Sequence, residues 1–124
     1  MEILVADSAG FCFGVNRAVS TVYRLLREEK MPINTLGPII HNKQVVEYLE
    51  SRGVGTVLDA EELSPPGILV IRAHGVPPEV YEGVREKQME LVDCTCPYVK
   101  KIHALVKQKF DEGYQIVIVG DREH

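Results

Sequence analysis

Short apolar runs alternate with stretches of helical period along nearly the whole chain. This alternation constrains the fold more than any other feature of the sequence. The runs fall at residues 2–6, 33–36, 54–58, 68–71, 90–93 and 114–119. Each is short and apolar, with 68–71 (Ile-Leu-Val-Ile) the clearest strand among them. Between them lie helical patterns. Residues 15–30 carry Val15, Ala18, Val19, Val22, Leu25 and Leu26 at 3–4 residue spacing, with Arg24, Arg27 and Glu28 on the other face. A second helix spans 43–52, opened by Asn42 as N-cap and stopped by Gly53. A third begins at Pro77-Pro78, since proline suits a first helical turn, and runs to about residue 88. A fourth follows Pro97, with Val99, Ile102, Leu105, Val106 and Phe110 on one side and Gly113 at its end. Strands that alternate with helices predict βαβ units, hence an α/β fold with a parallel sheet and flanking helices.

Such a sheet presents the carboxyl ends of all its strands along one edge, and ligands bind there. The unusual polar residues follow the predicted strands. Cys12 follows the run at 2–6, His41 the second run, and His74 the run at 68–71. Cys94 and Cys96 follow 90–93, and His124 follows 114–119. The fold class alone therefore predicts that cysteines and histidines gather on one side of the molecule.

Cys96 precedes Pro97 and so is placed as an N-cap, and Cys12 has a similar setting before the first helix. The helix N-terminus favours a thiolate over a thiol. Two thiolates aimed at one point suit a soft metal centre. Paired C-x-x-C knuckles of the zinc type are absent. An iron–sulfur cluster stays open as a reading, although such clusters usually take more than two cysteines. Cys94 lies two residues before Cys96 and reads as a small packed residue at a strand end, with a redox or ligating role as the alternatives. His41 and His74 each stand in a loop ahead of a helix start, where backbone N–H groups bind phosphate and a histidine adds a donor or a charge. His103, between Ile102 and Ala104 in mid-helix, reads as structural. Gly10 and Gly14 bracket Cys12 without the spacing of a dinucleotide or phosphate-loop fingerprint. Their expected use is close backbone approach to whatever Cys12 holds.

Composition narrows the function classes. The 124 residues carry a formal net charge of -4 and only three cysteines. No basic face emerges, so nucleic-acid binding is not expected. The apolar start breaks at Asp7 with no basic residues before it, so no secretory leader is expected. No apolar run approaches the about 20 residues of a membrane span. A cytoplasmic location, with reduced thiols, is the resulting expectation.

Four motifs can now be read together: Gly10-Phe11-Cys12-Phe13-Gly14-Val15-x-Arg17-Ala18-Val19, Gly37-Pro38-Ile39-Ile40-His41-Asn42, Ile71-Arg72-Ala73-His74-Gly75-Val76 and Asp93-x-Thr95-Cys96-Pro97-x-Val99-x-Lys101. In this order they resemble the LytB/IspH family of isoprenoid-forming reductases. The resemblance implies an oxidoreductase of the methylerythritol phosphate route. Such an enzyme removes a hydroxyl from 4-hydroxy-3-methylbut-2-enyl diphosphate, giving isopentenyl and dimethylallyl diphosphate. It implies a 4Fe-4S cluster held by three cysteines, with Cys12 and Cys96 matching two of them and the third outside this chain. His41, His74 and His124 match the histidines around the substrate, chiefly its diphosphate, and His124 is further expected to be catalytic. The family's glutamate proton relay falls two residues beyond His124. The electron donor implied is a ferredoxin or flavodoxin.

The resemblance also implies three similar α/β lobes around the cluster. Residues 1–96 would be the first lobe, and residues 97–124 the opening helix and strand of a second. An isolated fragment of this kind is expected to be inactive. The competing expectation is a non-enzymatic α/β module of the same descent, which binds a ligand or a partner.

Overall fold

The computed structural model describes residues 1–120. His124, expected at the site, lies outside the described residues.

The alternation folds as expected over the middle of the chain. The helix α1 (Phe13–Glu28) leads into the strand β1 (Ile33–Leu36). The helix α2 (Lys43–Ser51) then connects to β2 (Val54–Val57), and a 3-10 turn (Ala60–Glu62) precedes β3 (Ile68–Ile71). The helix α3 (Pro78–Glu86), the strand β4 (Glu90–Asp93) and the helix α4 (Pro97–Asp111) complete the order. Local chemistry sets the boundaries. The Asn42 side chain accepts from the Val45 N–H at 3.1 Å and caps α2. Asp59 and Glu62 form a capping box around the 3-10 turn. Gly53, at φ 92°, takes the left-handed conformation that turns the chain out of α2 into β2.

The four strands form one parallel sheet in the order β2-β1-β3-β4. The register is level. Leu36 pairs with Val57, and Ile71 with Asp93, so the strands end along a common edge. β3 is covered on both sides, and all four of its residues are 0% exposed. A continuous apolar run is what a central parallel strand needs. On one face, Ala18, Val19, Val22 and Leu25 of α1 and Leu49 of α2 pack against Ile33, Val54, Ile68 and Val70. On the other, Val84 of α3, with Leu63 and Met89, packs against Leu36, Leu69 and Ile71. Each fully buried Val, Leu or Ile side chain contributes about 1.5–3 kcal/mol over its exposed state.

Two expected strands do not form. Residues 2–6 and 114–119 have no strand structure and no ladder partner. Ile3, Leu4 and Val5 are 74%, 86% and 75% exposed; Val117, Ile118 and Val119 are 77%, 84% and 94% exposed. An apolar run becomes a strand only when a neighbouring strand takes up its N–H and C=O groups. Neither run pairs with any of the four strands of the sheet. α4 also stands apart, with no buried residue and with Ile102, Leu105 and Phe110 exposed. Among the described residues no helix is long and apolar enough to cross a membrane.

Candidate functional site

Cys12 reaches the carboxyl edge of the sheet by a different route from the expected one. No strand carries it there. It is the N-cap of α1, with extended backbone (φ -62°, ψ 163°), and α1 runs back along the sheet to feed β1 from its far end. The helix begins at Phe13, two residues earlier than its apolar period indicates. Cys96 is the N-cap of α4, with Pro97 at the first helical position, as its sequence setting predicts. Each cysteine's carbonyl accepts the first bond of its helix, from Asn16 and Lys100 respectively, both at 2.9 Å. Neither sulfur is used as a cap acceptor. Neither thiol is therefore taken up by its own helix end, and each stands at a helix N-terminus.

The two N-caps meet through Gly14. A Cβ at this position would lie 2.7 Å from the Cys96 Sγ and 2.9 Å from its Cβ. The Cys96 sulfur thus rests on the first turn of α1, two residues after Cys12. Only glycine admits that approach. Gly14 serves the thiol of the other helix, and not only the group beside Cys12 as its position in the loop suggests. Cys12 is exposed and Cys96 partly so, whereas Cys94 is 2% exposed. Burial pushes the Cys94 thiol above its ordinary value, outweighing a hydrogen bond with Thr21 and the nearby charge of Arg17. A buried thiol held neutral matches the packed role expected of Cys94.

His41 and His74 come together at the same edge. Their ring centroids are 4.7 Å apart, tilted by 44°. His41 follows β1 on an exposed loop and His74 follows β3. The loop of His74 is joined directly to that of Cys96, since the Cys96 N–H donates to the Ala73 carbonyl at 2.9 Å. Gly75, at φ 79°, sits under Thr95 and His103; a Cβ there would be 3.0 Å from Thr95 Cγ2 and 3.1 Å from His103 Cε1. His103 is exposed and lies beside the histidine loop rather than in a core.

Charged groups brace the segment between β4 and α4. Asp93 accepts from the Thr95 N–H at 2.8 Å and pairs with Lys100 at 2.6 Å. Burial raises the Asp93 carboxyl, but Lys100 and the Thr95 N–H outweigh it, and the net shift is below the ordinary value. Arg17, on α1, donates to the Thr95 carbonyl at 2.7 Å. Sequence reading did not single out Arg17, Asp93 or Lys100 for this role. Arg17 and Asp93 belong to the motifs that carry the two cysteines, and Lys100 falls at an unspecified position of the second.

The donor set fits an iron–sulfur centre in part. Two thiols at helix N-termini, one bedded on a glycine, are soft ligands of the right kind. Among the described residues no three His, Cys, Asp or Glu side chains are grouped to hold a metal ion. A cluster here needs a further ligand besides Cys12 and Cys96.

Comparison with known proteins gives one consistent result. The family model described as LytB protein matches residues 3–124. The chain is 46% identical to the 4-hydroxy-3-methylbut-2-enyl diphosphate reductase of Alkaliphilus oremlandii, covering 100% of this chain and 44% of that protein. It is 48% identical to the enzyme of the same name from Caldanaerobacter subterraneus, again over 44% of the relative. Among solved structures, the E-1-hydroxy-2-methyl-but-2-enyl-4-diphosphate reductase of Plasmodium falciparum matches with a TM-score of 0.88 and 36% identity. That match covers 95% of this chain and 37% of the other. A second reductase structure, of the terminal enzyme of the non-mevalonate pathway, matches with a TM-score of 0.81 and 46% identity, over 98% of this chain and 43% of the other. The chain spans less than half the length of the relatives it matches. With its motifs in order, its sheet superimposable and the match running from residue 3 to residue 124, this chain belongs to the LytB protein family.

Proposed function

We propose that this chain supplies one wall of the active site of a 4-hydroxy-3-methylbut-2-enyl diphosphate reductase of the methylerythritol phosphate route. The observation that carries the proposal is the meeting of two N-cap cysteines through Gly14, on the same edge as the His41–His74 pair. Cys12 and Cys96 would hold a 4Fe-4S cluster with a third cysteine from outside this chain. When bound, the cluster supplies electrons and a Lewis-acidic iron for breaking the carbon–oxygen bond. The overall change consumes two electrons and two protons and releases the hydroxyl as water. A ferredoxin or flavodoxin would provide the electrons, in the cytoplasm.

The chain's own residues bind and orient. His41 and His74 would face the diphosphate, as donors from two loops fixed by adjacent strands of one sheet. The N-termini of α2 and α3 follow those loops and add partial positive charge for an anion. His124 would complete the histidine set as a catalytic group, close to the proton relay expected beyond it. Residues 1–96 would form one lobe and residues 97–124 the start of another.

The test uses the complete protein, loaded anaerobically with iron and sulfide. Cys12→Ser and Cys96→Ser are expected to lose the cluster's visible absorbance and most bound iron. His41→Ala and His74→Ala are expected to keep the cluster and raise KM for the diphosphate substrate about 10- to 100-fold, the loss of one hydrogen bond to a charged group. A Cys96→Ser protein that holds its cluster as the wild type does would falsify the proposal.

A further inference from the structure

We propose that Arg17 is a positioning residue for Cys96, fixing the direction in which its thiolate meets the iron–sulfur centre. This rests on the assignment of Cys96 as a ligand. The geometry concerns one peptide unit, between Thr95 and Cys96. Its carbonyl accepts from the Arg17 guanidinium at 2.7 Å. Its N–H, that of Cys96, donates to the Ala73 carbonyl at 2.9 Å. The plane is therefore held at both ends, by α1 on one side and by the loop after β3 on the other. A peptide plane held at both ends fixes the N–Cα bond of Cys96. Its φ of -57° as the N-cap of α4 then sets the Cβ, and the bed at Gly14 limits where the Sγ can turn.

Arg17 lies three residues after Gly14, on the same face of α1. The same helix thus provides both the bed for the Cys96 sulfur and the clamp on the preceding carbonyl. The helix carrying Cys12 sets the orientation of Cys96. The Arg17 Nε is buried and has no hydrogen-bond partner among the described residues. A buried donor without a partner is unfavourable, so core packing alone does not account for an arginine here. The clamp on the Thr95 carbonyl does. Groups behind a ligand of this kind typically change metal retention by about 10- to 100-fold.

The experiment uses the complete, cluster-loaded protein. Arg17→Gln, Arg17→Lys and Cys96→Ser are compared with the wild type in three ways. These are the rate of iron release to an excess of chelator, the electron paramagnetic resonance spectrum of the reduced cluster, and the thermal midpoint of the cluster-free protein. Arg17→Gln is expected to release iron about tenfold faster, with an altered spectrum. Arg17→Lys keeps a donor and is expected to recover part of the loss. Wild-type release and spectrum in Arg17→Gln, while Cys96→Ser loses its cluster, would overturn the role of Arg17 and leave the ligand assignment standing. A Cys96→Ser protein with a normal cluster would instead overturn the assignment beneath it. If Arg17→Gln does not fold, Arg17→Met, which keeps a long side chain and removes the donor, decides. Faster release at an unchanged midpoint supports the proposal, and unchanged release overturns it.

Discussion

At the scale of the residue, Gly14 shows how a single missing methyl group shapes a site. A Cβ here would press on the Cys96 sulfur at 2.7 Å, well inside van der Waals contact. The sulfur can turn away, but only by leaving the first turn of α1. Gly14→Ala is therefore expected to fold, to lose about 1–3 kcal/mol in a urea titration from overpacking, and to bind less iron per chain than the wild type. Normal iron content in that variant would show that the thiol does not need its present seat. Cys94 illustrates the reverse case. It stands only two residues from Cys96, yet burial keeps its thiol neutral and out of reach of a ligand. Pro97 separates the two cysteines in the sequence, and their exposure separates them in the fold.

At the scale of the element, the junction of β4 and α4 carries the most specific chemistry. Asp93 ends the strand, receives the Thr95 N–H and pairs with Lys100 in the opening turns of the helix. Its carboxyl is lower than usual in the folded chain, so it favours folding when ionised. That contribution is present above the ordinary carboxyl value of about 4 and fades as pH falls through the lower, folded value. Asp93→Asn is expected to cost about 1–2 kcal/mol near pH 7, allowing for the half-exposed Lys100. The difference from the wild type should shrink as denaturation midpoints are taken to lower pH. A difference that stays constant down to the most acid midpoint would argue against an ionised Asp93 as its source. The runs at 2–6 and 114–119 belong to this scale too. They have the composition of strands, but a strand is a property of two segments and not of one.

At the scale of the molecule, one central strand links the packing to the site. Ile68 is fully buried in β3, between β1 and β4, with α1 and α2 on its side of the sheet. Ile68→Ala is expected to destabilise the chain by about 2–5 kcal/mol in chemical denaturation, the cost of a large cavity in a close-packed core. A loss well below 1 kcal/mol would show that the sheet closes over the gap. His74 follows β3, and Cys96 is bonded to the residue before His74, so the same variant should weaken metal retention without touching a ligand.

Much of this was legible in the chain itself. The alternation of apolar runs and helical periods determined the parallel α/β class, because burial demands two different periods from strands and helices. Pro97 marked Cys96 as an N-cap, and Asn42 and Gly53 bounded α2, since those residues favour the backbone of helix ends. The four motifs pointed to the LytB/IspH family. Tertiary structure alone decided which apolar runs became strands, because partners must be present to take up backbone hydrogen bonds. It alone brought Cys12 to the edge along α1, set Cys96 against Gly14 and turned Arg17 onto the Thr95 carbonyl. Arg17 and Thr95 are separated by 78 positions along the chain. No local propensity spans such a distance, and only the packing of α1 on the sheet closes it.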